Sequence, residues 1–281
     1  MRWLITGAGG MLGQDLIAAL AVAGETDVVA ATRSQLDVSD PTAVRDAAEG
    51  ADLVINAAAW TDVDGAETAE EAATAVNGLG AANLAAAAGK RLIHISTDYV
   101  FDGRATEPYP EDTPQAPVNA YGRSKAAGER AVLAAGGYVV RTAWLYGAHG
   151  PNFVRTMLRL AGERDTLDVV DDQQGPPTWS GALARQLVAL GHAAAEGRAA
   201  PGAYHGTASG STTWFGLARA VFAEAGLDPE RVRPATSDKF VRPAPRPAYS
   251  VLGHDRWATT GVAPLPDWRA MLTEAMPALR A

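Results

Sequence analysis

One tyrosine and one lysine stand four residues apart in the stretch "NAYGRSKAAGER" (119–130). Residues at this spacing share one face of a helix, so Tyr121 and Lys125 are expected to point the same way. A tyrosine hydroxyl has a reference pKa of about 10, and a neighbouring ammonium group is expected to lower it. The pair therefore predicts a proton donor for a carbonyl oxygen that receives hydride. An incidental pair on an amphipathic surface helix is the alternative.

A hydroxyl and a carboxyl group follow another predicted strand, in "ISTDYVFDG" (95–103). Side chains at the carboxyl end of a strand face the ligand crevice in a parallel α/β fold. Thr97 is placed there to hydrogen-bond the same carbonyl oxygen and orient it.

Three glycines lie between the first predicted strand and the first helix, in "LITGAGGMLGQDL" (4–16). Gly7, Gly10 and Gly13 permit a tight turn and a close backbone approach to a pyrophosphate. The helix then begins with free N–H groups, which favour an anion. The position of the motif predicts a dinucleotide site, with a tight turn that binds nothing as the alternative.

The end of the second strand, in "VVAATRSQLD" (28–37), bears on the choice of cofactor. An acidic residue there holds the ribose 2′-hydroxyl in NAD sites. Arg33 stands there instead and can pair with a 2′-phosphate. This favours NADPH, with NADH as the alternative cofactor and a solvated arginine as the competing interpretation. Asp37 and Val38 are expected near the adenine, and the small residues of "NAAAW" (56–60) beside the cofactor.

Short apolar runs alternate with alanine-rich helical segments through the first half of the chain. This pattern predicts an α/β fold, a Rossmann-like doubly wound parallel sheet with a smaller α/β substrate-binding cap domain. The predicted strands are 3–6, 28–32, 53–56, 92–96 and 138–141. The predicted helices are 12–22, 42–48, 66–88, 120–134, 153–161, 181–196 and 267–279. The stretch 229–250 is rich in proline and arginine and is expected to wrap the surface.

Composition narrows the classes of function. The chain has 281 residues, no cysteine and a formal net charge of −8. Scattered lysines on an acidic chain argue against a nucleic-acid partner, and the lack of cysteine fits a reducing compartment. We find neither a signal peptide pattern nor an apolar run long enough for a membrane span. We therefore expect a cytoplasmic protein. The five histidines are far apart and form no H-E-x-x-H pattern, so we expect no catalytic metal site.

The chain resembles the dTDP-4-dehydrorhamnose reductases, a family of the extended short-chain dehydrogenase/reductase superfamily. The resemblance runs from residue 6 to 179 and includes the fairly specific motifs "STDYVFDG" and "RTAWLYG". It implies reduction by NADPH of the C4 keto group of dTDP-4-dehydro-L-rhamnose, which gives dTDP-L-rhamnose. Two alternatives stay open: a 4-ketoreductase of another dTDP-deoxysugar, such as a streptose or antibiotic-sugar precursor, and a non-catalytic regulatory subunit of the same fold.

The resemblance also implies roles for individual residues. The catalytic set would be Thr97, Tyr121 and Lys125. The cofactor would contact Gly7, Gly10, Met11, Leu12, Gly13, Arg33, Asp37, Val38, Ala57, Ala58, Ala59 and Thr61, together with Tyr121 and Lys125. The sugar nucleotide would contact Val63, Thr97, Asp98, Trp144 and Arg242. Asn77 stands where the superfamily places a helix asparagine near the catalytic groups.

Further implications concern anions, metal and assembly. The substrate diphosphate requires cations, for which the candidates are Arg231, Arg233, Lys239, Arg242 and Arg246. Some family members bind Mg²⁺ at a dimer contact through an acid early in the first helix. Asp15 occupies that place, with a solvated helix carboxylate as the favoured interpretation, and a homodimer is the expected assembly if any forms. Tyr249 replaces a common family asparagine, which bears on substrate specificity.

We predict two interleaved domains. Residues 1–148, with 178–206 and 236–252, form the dinucleotide-binding domain. Residues 149–177, 207–235 and 253–281 form the substrate-binding domain.

Overall fold

A computed structural model describes residues 1–280 of the chain; residue 281, the last of the predicted segment 253–281, lies outside them. The strands are β1 (Trp3–Thr6), β2 (Val28–Ala31), β3 (Leu53–Asn56), β4 (Leu92–Thr97), β5 (Tyr138–Thr142), β6 (Leu145–Tyr146), β7 (Leu167–Val170), β8 (Gln174–Gly175), β9 (Thr178–Trp179), β10 (Gly202–His205), β11 (Thr212–Thr213) and β12 (Val232–Ala235). The helices are α1 (Met11–Val22), α2 (Pro41–Ala48), α3 (Val63–Ala66), α4 (Glu70–Thr74), α5 (Ala81–Ala88), α6 (Ala120–Ala134), α7 (Phe153–Glu163), α8 (Ser180–Ala195), α9 (Trp214–Glu224) and α10 (Trp268–Arg280), with a π-helical segment (Ala75–Gly80) between α4 and α5.

One parallel sheet organises the molecule, with the strand order β10-β5-β4-β3-β1-β2. From β1 the chain goes first to β2 on one side and then to β3 on the other. Ligands of such sheets bind outside the carboxyl ends of the strands, where the direction of winding reverses. Thr6 of β1 lies beside Asn56 of β3, and Thr97 of β4 lies beside Thr142 of β5, at that edge. The predicted doubly wound α/β fold is confirmed.

Helices cover both faces of the sheet, which explains why its strands are almost entirely apolar. On one face, Leu16 of α1 and Leu187 of α8 pack against Ile5. On the other face, Val44 of α2 and Leu84 of α5 belong to the same buried cluster as Leu4 and Val54. Successive residues of β1 thus enter opposite cores, as the two-residue period of a strand requires.

A second core lies between α7, α9 and α10 and the parallel pair β7–β12. Met157, Phe222 and Leu272 are among its buried side chains. These residues come from the three segments that we assigned to substrate binding, but the domain boundaries themselves stay a prediction.

The predicted helix 66–88 is wrong as a single element. The chain there forms α4, a π-helical segment and α5, and a separate turn of helix, α3, precedes them. The π-helical segment contains Asn77, whose side chain accepts from the Trp60 backbone N–H (2.9 Å) and donates to the Ser124 hydroxyl (2.9 Å). Single π-helical turns of this kind often occur at functional sites.

The C-terminal half holds elements that we did not predict, including the edge strand β10, the helix α9 and the strands β7 and β12. The stretch 229–250 therefore does more than wrap the surface. Val232 is buried in the second core while Arg233 and Pro234 are exposed, so β12 packs against that core through Val232. Among residues 1–280, every helix is too short or too polar to cross a lipid bilayer.

Candidate active site

The glycine loop forms a cradle for an anion at the start of α1. Gly10 caps the helix in an extended conformation with no side-chain hydrogen bond, and the first turn carries no acidic residue. The backbone N–H groups of the first turn therefore face outward, and the helix dipole adds to their attraction for an anion. Met11 and Leu12 lie in this turn, and their contact with a pyrophosphate stays a prediction.

Two of the glycines are required by close packing. Gly7 has a φ of +70°, and a Cβ atom there would lie 2.5 Å from the backbone nitrogen of Ala58. A Cβ atom at Gly13 would lie 2.3 Å from the carbonyl oxygen of Gly7. The loop thus passes against the residues that follow β3, and α1 packs against the loop. A dinucleotide pyrophosphate fits this cradle.

The end of β2 carries hydroxyl and amide groups and an exposed arginine. Thr32 hydrogen-bonds Gln35 through both its backbone N–H (2.9 Å) and its hydroxyl (2.8 Å), and Arg33 extends into solvent. The Asp37 carboxylate accepts two bonds from Ser39, which lower the pKa of Asp37, and the charge of Arg33 adds to this effect. This arrangement leaves Arg33 accessible at the predicted 2′-phosphate position.

The residues predicted near the adenine and beside the cofactor follow β2 and β3, at the carboxyl edge of the sheet. Val38 is buried, and its carbonyl accepts from Asn83 (3.1 Å). After β3 the chain continues through half-buried alanines to the exposed Thr61. These alanines are Ala57, Ala58 and Ala59.

Thr97 and Asp98 form one hydrogen-bonded unit at the carboxyl end of β4. The Thr97 hydroxyl donates to Asp98 Oδ1 (2.8 Å) and accepts from the Tyr99 backbone N–H (3.2 Å). Burial raises the pKa of Asp98 to about 6, and the nearby hydroxyl groups of Ser250 and Thr97 act against this rise. In order to donate to a substrate oxygen, the Thr97 hydroxyl must turn away from Asp98.

Tyr121 lies beside this unit on α6. Burial raises the pKa of Tyr121, the charge of Asp98 raises it further, and a hydrogen bond with Thr97 acts in the opposite direction. The structure therefore brings Tyr121, Thr97 and Asp98 together. Tyr121 is protonated at neutral pH and available as a proton donor.

Lys125 is on the same helix but turns inward. Its Nζ atom donates to the Ile95 carbonyl (2.6 Å) and lies 3.3 Å from His94 Nε2, and the side chain is only 2% exposed. Our expectation that Lys125 lowers the pKa of Tyr121 is wrong for this structure. Burial and the Asp98 carboxylate determine that pKa here, because the Lys125 amino group is held by the Ile95 carbonyl and by His94 on β4.

Close packing and a buried ion pair fix α6 against the sheet. A Cβ atom at Gly128 would lie 2.2 Å from the Asn77 carbonyl oxygen, so the helix and the π-helical segment are in direct backbone contact. Glu129 pairs with Arg141 of β5 (2.8 Å), and both side chains are almost completely buried. These contacts fix the position and rotation of α6 against the sheet. They therefore also fix the position of Tyr121 relative to Thr97.

On the opposite side of the site, Trp144 follows β5 in a left-handed backbone conformation, with a φ of 49°. Its ring stacks on Trp214 of α9 at a centroid distance of 3.6 Å and an interplanar angle of 7°. On β8, a Cβ atom at Gly175 would lie 2.4 Å from the Trp144 ring. Trp144 therefore joins the sheet to the second core. The sequence offered no signal for Trp214, which is one of three aromatic residues in α9.

Of the predicted substrate residues, Val63 precedes Asp64 in the chain and Arg242 approaches the Asp64 carboxylate. Val63 is the first residue of α3, and Arg242 Nη1 lies 3.7 Å from Asp64 Oδ2. Arg246 forms the shorter ion pair with the same oxygen (2.9 Å) and lies over the Tyr99 ring. Arg246 therefore contacts Tyr99, whose ring packs edge-on against the Tyr121 ring at a centroid distance of 5.6 Å.

Two other candidates, Arg231 for the diphosphate and Asp15 for Mg²⁺, form hydrogen bonds with other parts of the protein. Arg231 donates to the carbonyls of Ala161 (2.7 Å) and Arg164 (2.7 Å) at the end of α7, which argues against a role in binding diphosphate. Asp15 accepts from the Ser180 hydroxyl (2.5 Å). In residues 1–280 no three acidic or histidine side chains are grouped to hold a metal ion, so nothing supports Mg²⁺ at Asp15.

Several buried polar atoms around the site have no protein partner within residues 1–280. They are Ser96 Oγ, Asp98 Oδ2, Thr142 Oγ1 and Arg246 Nη1. Buried polar groups without a hydrogen bond are rare in folded proteins. Their presence at the carboxyl edge of β4 and β5 fits a cavity that receives a polar ligand.

Comparison with known proteins agrees with this geometry. The family model "RmlD substrate binding domain" matches residues 1–281. A dTDP-4-dehydrorhamnose reductase of Streptomyces griseus is 52% identical over 99% of this chain and 94% of its own length. A dTDP-4-keto-6-deoxy-D-glucose reductase of Streptomyces niveus is 50% identical over 100% of this chain and 98% of its own length.

A solved structure leads to the same family. The dTDP-4-dehydrorhamnose reductase of Bacillus anthracis, in complex with NADP, superposes with a TM-score of 0.92 at 36% identity, over 98% of both chains. The resemblance stated from the sequence motifs is therefore confirmed. The chain belongs to the RmlD substrate binding domain family.

Proposed function

We propose that this protein is an NADPH-dependent oxidoreductase that reduces the C4 keto group of dTDP-4-dehydro-L-rhamnose to give dTDP-L-rhamnose. The observation that carries the proposal is the grouping of Tyr121, Thr97 and Asp98 at the carboxyl end of β4, beside an anion cradle. A protonated tyrosine next to a dinucleotide site is suited to carbonyl reduction. Relatives about half identical along their whole length carry names for this reaction type.

Each side chain has a defined task in this reaction. NADPH, when bound, supplies the hydride to the carbonyl carbon. Tyr121 gives its hydroxyl proton to the carbonyl oxygen as negative charge develops there. Thr97 orients that oxygen once its hydroxyl leaves Asp98. Lys125 provides positive charge to the site when its amino group is protonated and turned away from His94.

NADPH is the proposed cofactor. The exposed Arg33 at the end of β2 supports it, because arginine binds phosphate through two parallel hydrogen bonds. The Bacillus anthracis relative, which was solved with NADP, supports it as well. The cofactor contacts given above stay predictions for this chain.

For the sugar nucleotide we propose contacts with Trp144, Val63 and Asp98, with Arg242 and Arg246 near the diphosphate. Arg246 has the stronger support, because its Nη1 atom is buried without a partner in the described residues. The Streptomyces niveus relative favours a second candidate substrate, dTDP-4-keto-6-deoxy-D-glucose. Both sugars carry a C4 keto group, so the same chemistry would serve either one.

Steady-state kinetics with both sugars and with both NADPH and NADH test the proposal. We expect turnover of dTDP-4-dehydrorhamnose with NADPH, and a kcat about 10²- to 10⁴-fold lower in Tyr121→Phe. Tyr109→Phe is the matched control, since it removes a buried hydroxyl that hydrogen-bonds Asp102 away from the site (2.8 Å). Equal rates in the two variants would exclude Tyr121 as the proton donor. Turnover of the other sugar alone would change the substrate.

Two further expectations remain proposals. The nucleotide sugar is the proposed small-molecule partner, and a homodimer is the proposed assembly if one forms. The cytoplasm is the proposed compartment, supported by the absence of cysteine from the sequence.

A further inference from the structure

A line of buried polar side chains crosses the sheet beneath the site. Thr6 of β1 donates to Asn56 Oδ1 of β3 (2.6 Å), and Asn56 Nδ2 lies 2.9 Å from His94 Nδ1 of β4. His94 Nε2 in turn lies 3.3 Å from Lys125 Nζ. All four side chains are 2% exposed or less. Such a line in an apolar sheet is costly unless every hydrogen bond is made.

A backbone group fixes the orientation of the amide in this line. The Ala58 N–H donates to Asn56 Oδ1 (3.1 Å), and a backbone N–H is a donor only. Oδ1 must therefore face Ala58 and Thr6, and the Asn56 NH₂ group must face His94. Because that group is also a donor only, His94 Nδ1 must accept.

The tautomer of His94 follows from this constraint. Burial lowers the pKa of His94 well below its usual range, so the ring is neutral. A neutral imidazole carries one proton. With Nδ1 as the acceptor, that proton is on Nε2, and the Nε2–H group points at Lys125 Nζ.

This contact distinguishes the two protonation states of Lys125. A neutral amine has a lone pair that can accept from Nε2–H while one of its N–H groups donates to the Ile95 carbonyl. An ammonium group has donors only, so it would meet Nε2–H donor to donor. The inward position therefore suits the amine and opposes the ammonium.

We propose that His94 is a positioning residue for the reductase site, which holds Lys125 inward while Lys125 is the neutral amine. When Lys125 is protonated, its side chain is released toward the catalytic groups. The proposal rests on the proposed function for its catalytic meaning. His94 itself contacts Asn56 and Lys125 and does not reach substrate or cofactor. It acts through Lys125, which is the last side chain in the line from Thr6 through Asn56 and His94.

The charged and titratable groups around Lys125 are consistent with both a neutral and a protonated form of this lysine. Burial lowers the pKa of Lys125 to about 8, and the negative charge of Glu129, one turn along α6, acts in the opposite direction. Glu129 is itself neutralised by Arg141 of β5. On the catalytic side are Asp98 and Tyr121. With a pKa near 8, both forms of Lys125 are populated near neutral pH.

The tautomer can be measured in the unmodified protein. Nitrogen chemical shifts of ¹⁵N-histidine-labelled wild type distinguish protonated from unprotonated ring nitrogens, and His94→Asn identifies which of the five histidines gives the signal. We expect a proton on Nε2 and none on Nδ1. A proton on Nδ1 would overturn the proposal.

The effect on Lys125 can be measured directly, because the chain has only three lysines and Lys90 and Lys239 are exposed. The Cε shift of each labelled lysine is followed with pH. We choose His94→Asn because its side-chain oxygen can still accept from Asn56, whereas the shorter side chain does not reach Nζ. Removing the opposing N–H group should raise the pKa of Lys125 by about one unit and leave Lys90 unchanged.

A Lys125 pKa that falls or stays the same in His94→Asn would contradict the proposal, since it would mean that His94 accepts from the ammonium group or does not affect it. Neither measurement uses a substrate. An inactive protein with the expected tautomer and shift would therefore count against the proposed function alone.

Discussion

At the scale of single residues, burial makes the environment of Asp98 unfavourable for a carboxylate. It is 3% exposed, and its Oδ2 atom has no partner in the described residues. Burial raises its pKa from 3.8 to about 6, so ionisation is harder in the folded than in the unfolded state. Its contribution to stability is therefore fully present below pH 3.8 and is lost as the pH rises through 6.

This pKa shift gives a prediction for Asp98→Asn. Between pH 4 and pH 7, the free energy of unfolding of the variant should increase relative to wild type by up to about 3 kcal/mol, because the amide does not ionise. Urea unfolding of both proteins across that range measures the difference. Asp102→Asn is the control with the opposite sign, since a hydrogen bond from Tyr109 lowers the pKa of Asp102. A constant difference between wild type and Asp98→Asn would contradict the prediction.

The residues that could be predicted from the sequence are those that follow a recognisable strand or helix pattern. Thr97 and Tyr121 belong to this group, and the structure brings them together. The line from Asn56 through His94 to Lys125 could not be predicted, because it depends on which residues of neighbouring strands and of α6 face each other. The inward turn of Lys125 has the same origin.

At the scale of elements, the turn from β1 into α1 depends on backbone contact. A Cβ atom at Gly13 would lie 2.3 Å from the Gly7 carbonyl oxygen, with no flexible side chain there that could move aside. Gly13→Ala should therefore lower the free energy of unfolding by about 1–3 kcal/mol and weaken NADPH binding. Denaturant unfolding and a fluorescence titration with NADPH measure the two effects.

The control for this change is Gly162→Ala in α7. A Cβ atom there meets nothing within 4 Å, and the glycine is helical. Alanine is the better helix former by about 0.5–1 kcal/mol, so the control should be unchanged or slightly more stable. Equal losses in the two variants would show that backbone contact at Gly13 is not the cause.

Element boundaries were predictable where caps and packing agree. Helix α6 spans the predicted 120–134, and the Asn119 side chain caps it by accepting from Gly122 N–H. The region 66–88 has continuous helical composition, yet it contains a π-helical turn. That turn reflects bonds from Asn77 to Trp60 and Ser124, which are distant in sequence, so local pattern alone does not reveal it.

At the scale of the whole molecule, the stack of Trp144 on Trp214 connects the two main cores. Trp144 follows the sheet strand β5, and Trp214 begins α9 in the second core. A left-handed backbone at a non-glycine residue persists only where the surroundings hold it. Gly175 on one side and Trp214 on the other provide that constraint. The sequence did not predict it, because it joins segments about 70 residues apart by packing alone.

We therefore expect Trp214→Ala to act on substrate binding from outside the catalytic set. Without the stacked ring, Trp144 loses one of its two supports, and its proposed contact with the sugar becomes less well ordered. An aromatic pair contributes about 0.5–1.5 kcal/mol beyond its buried area, so KM for the sugar nucleotide should rise roughly 2- to 13-fold. The KM for NADPH should stay near the wild-type value, since the glycine loop belongs to the other core. Steady-state kinetics measures both constants.

Phe215→Ala is the matched control, because it removes a half-buried aromatic ring from the same turn of α9 that packs against the second core. It should reduce stability without a comparable rise in KM for the sugar. A similar rise in both variants would mean that loosening of the second core, and not loss of the stack on Trp144, weakens binding. A rise confined to Trp214→Ala would mean that the orientation of the two cores at this stack sets the affinity for the sugar.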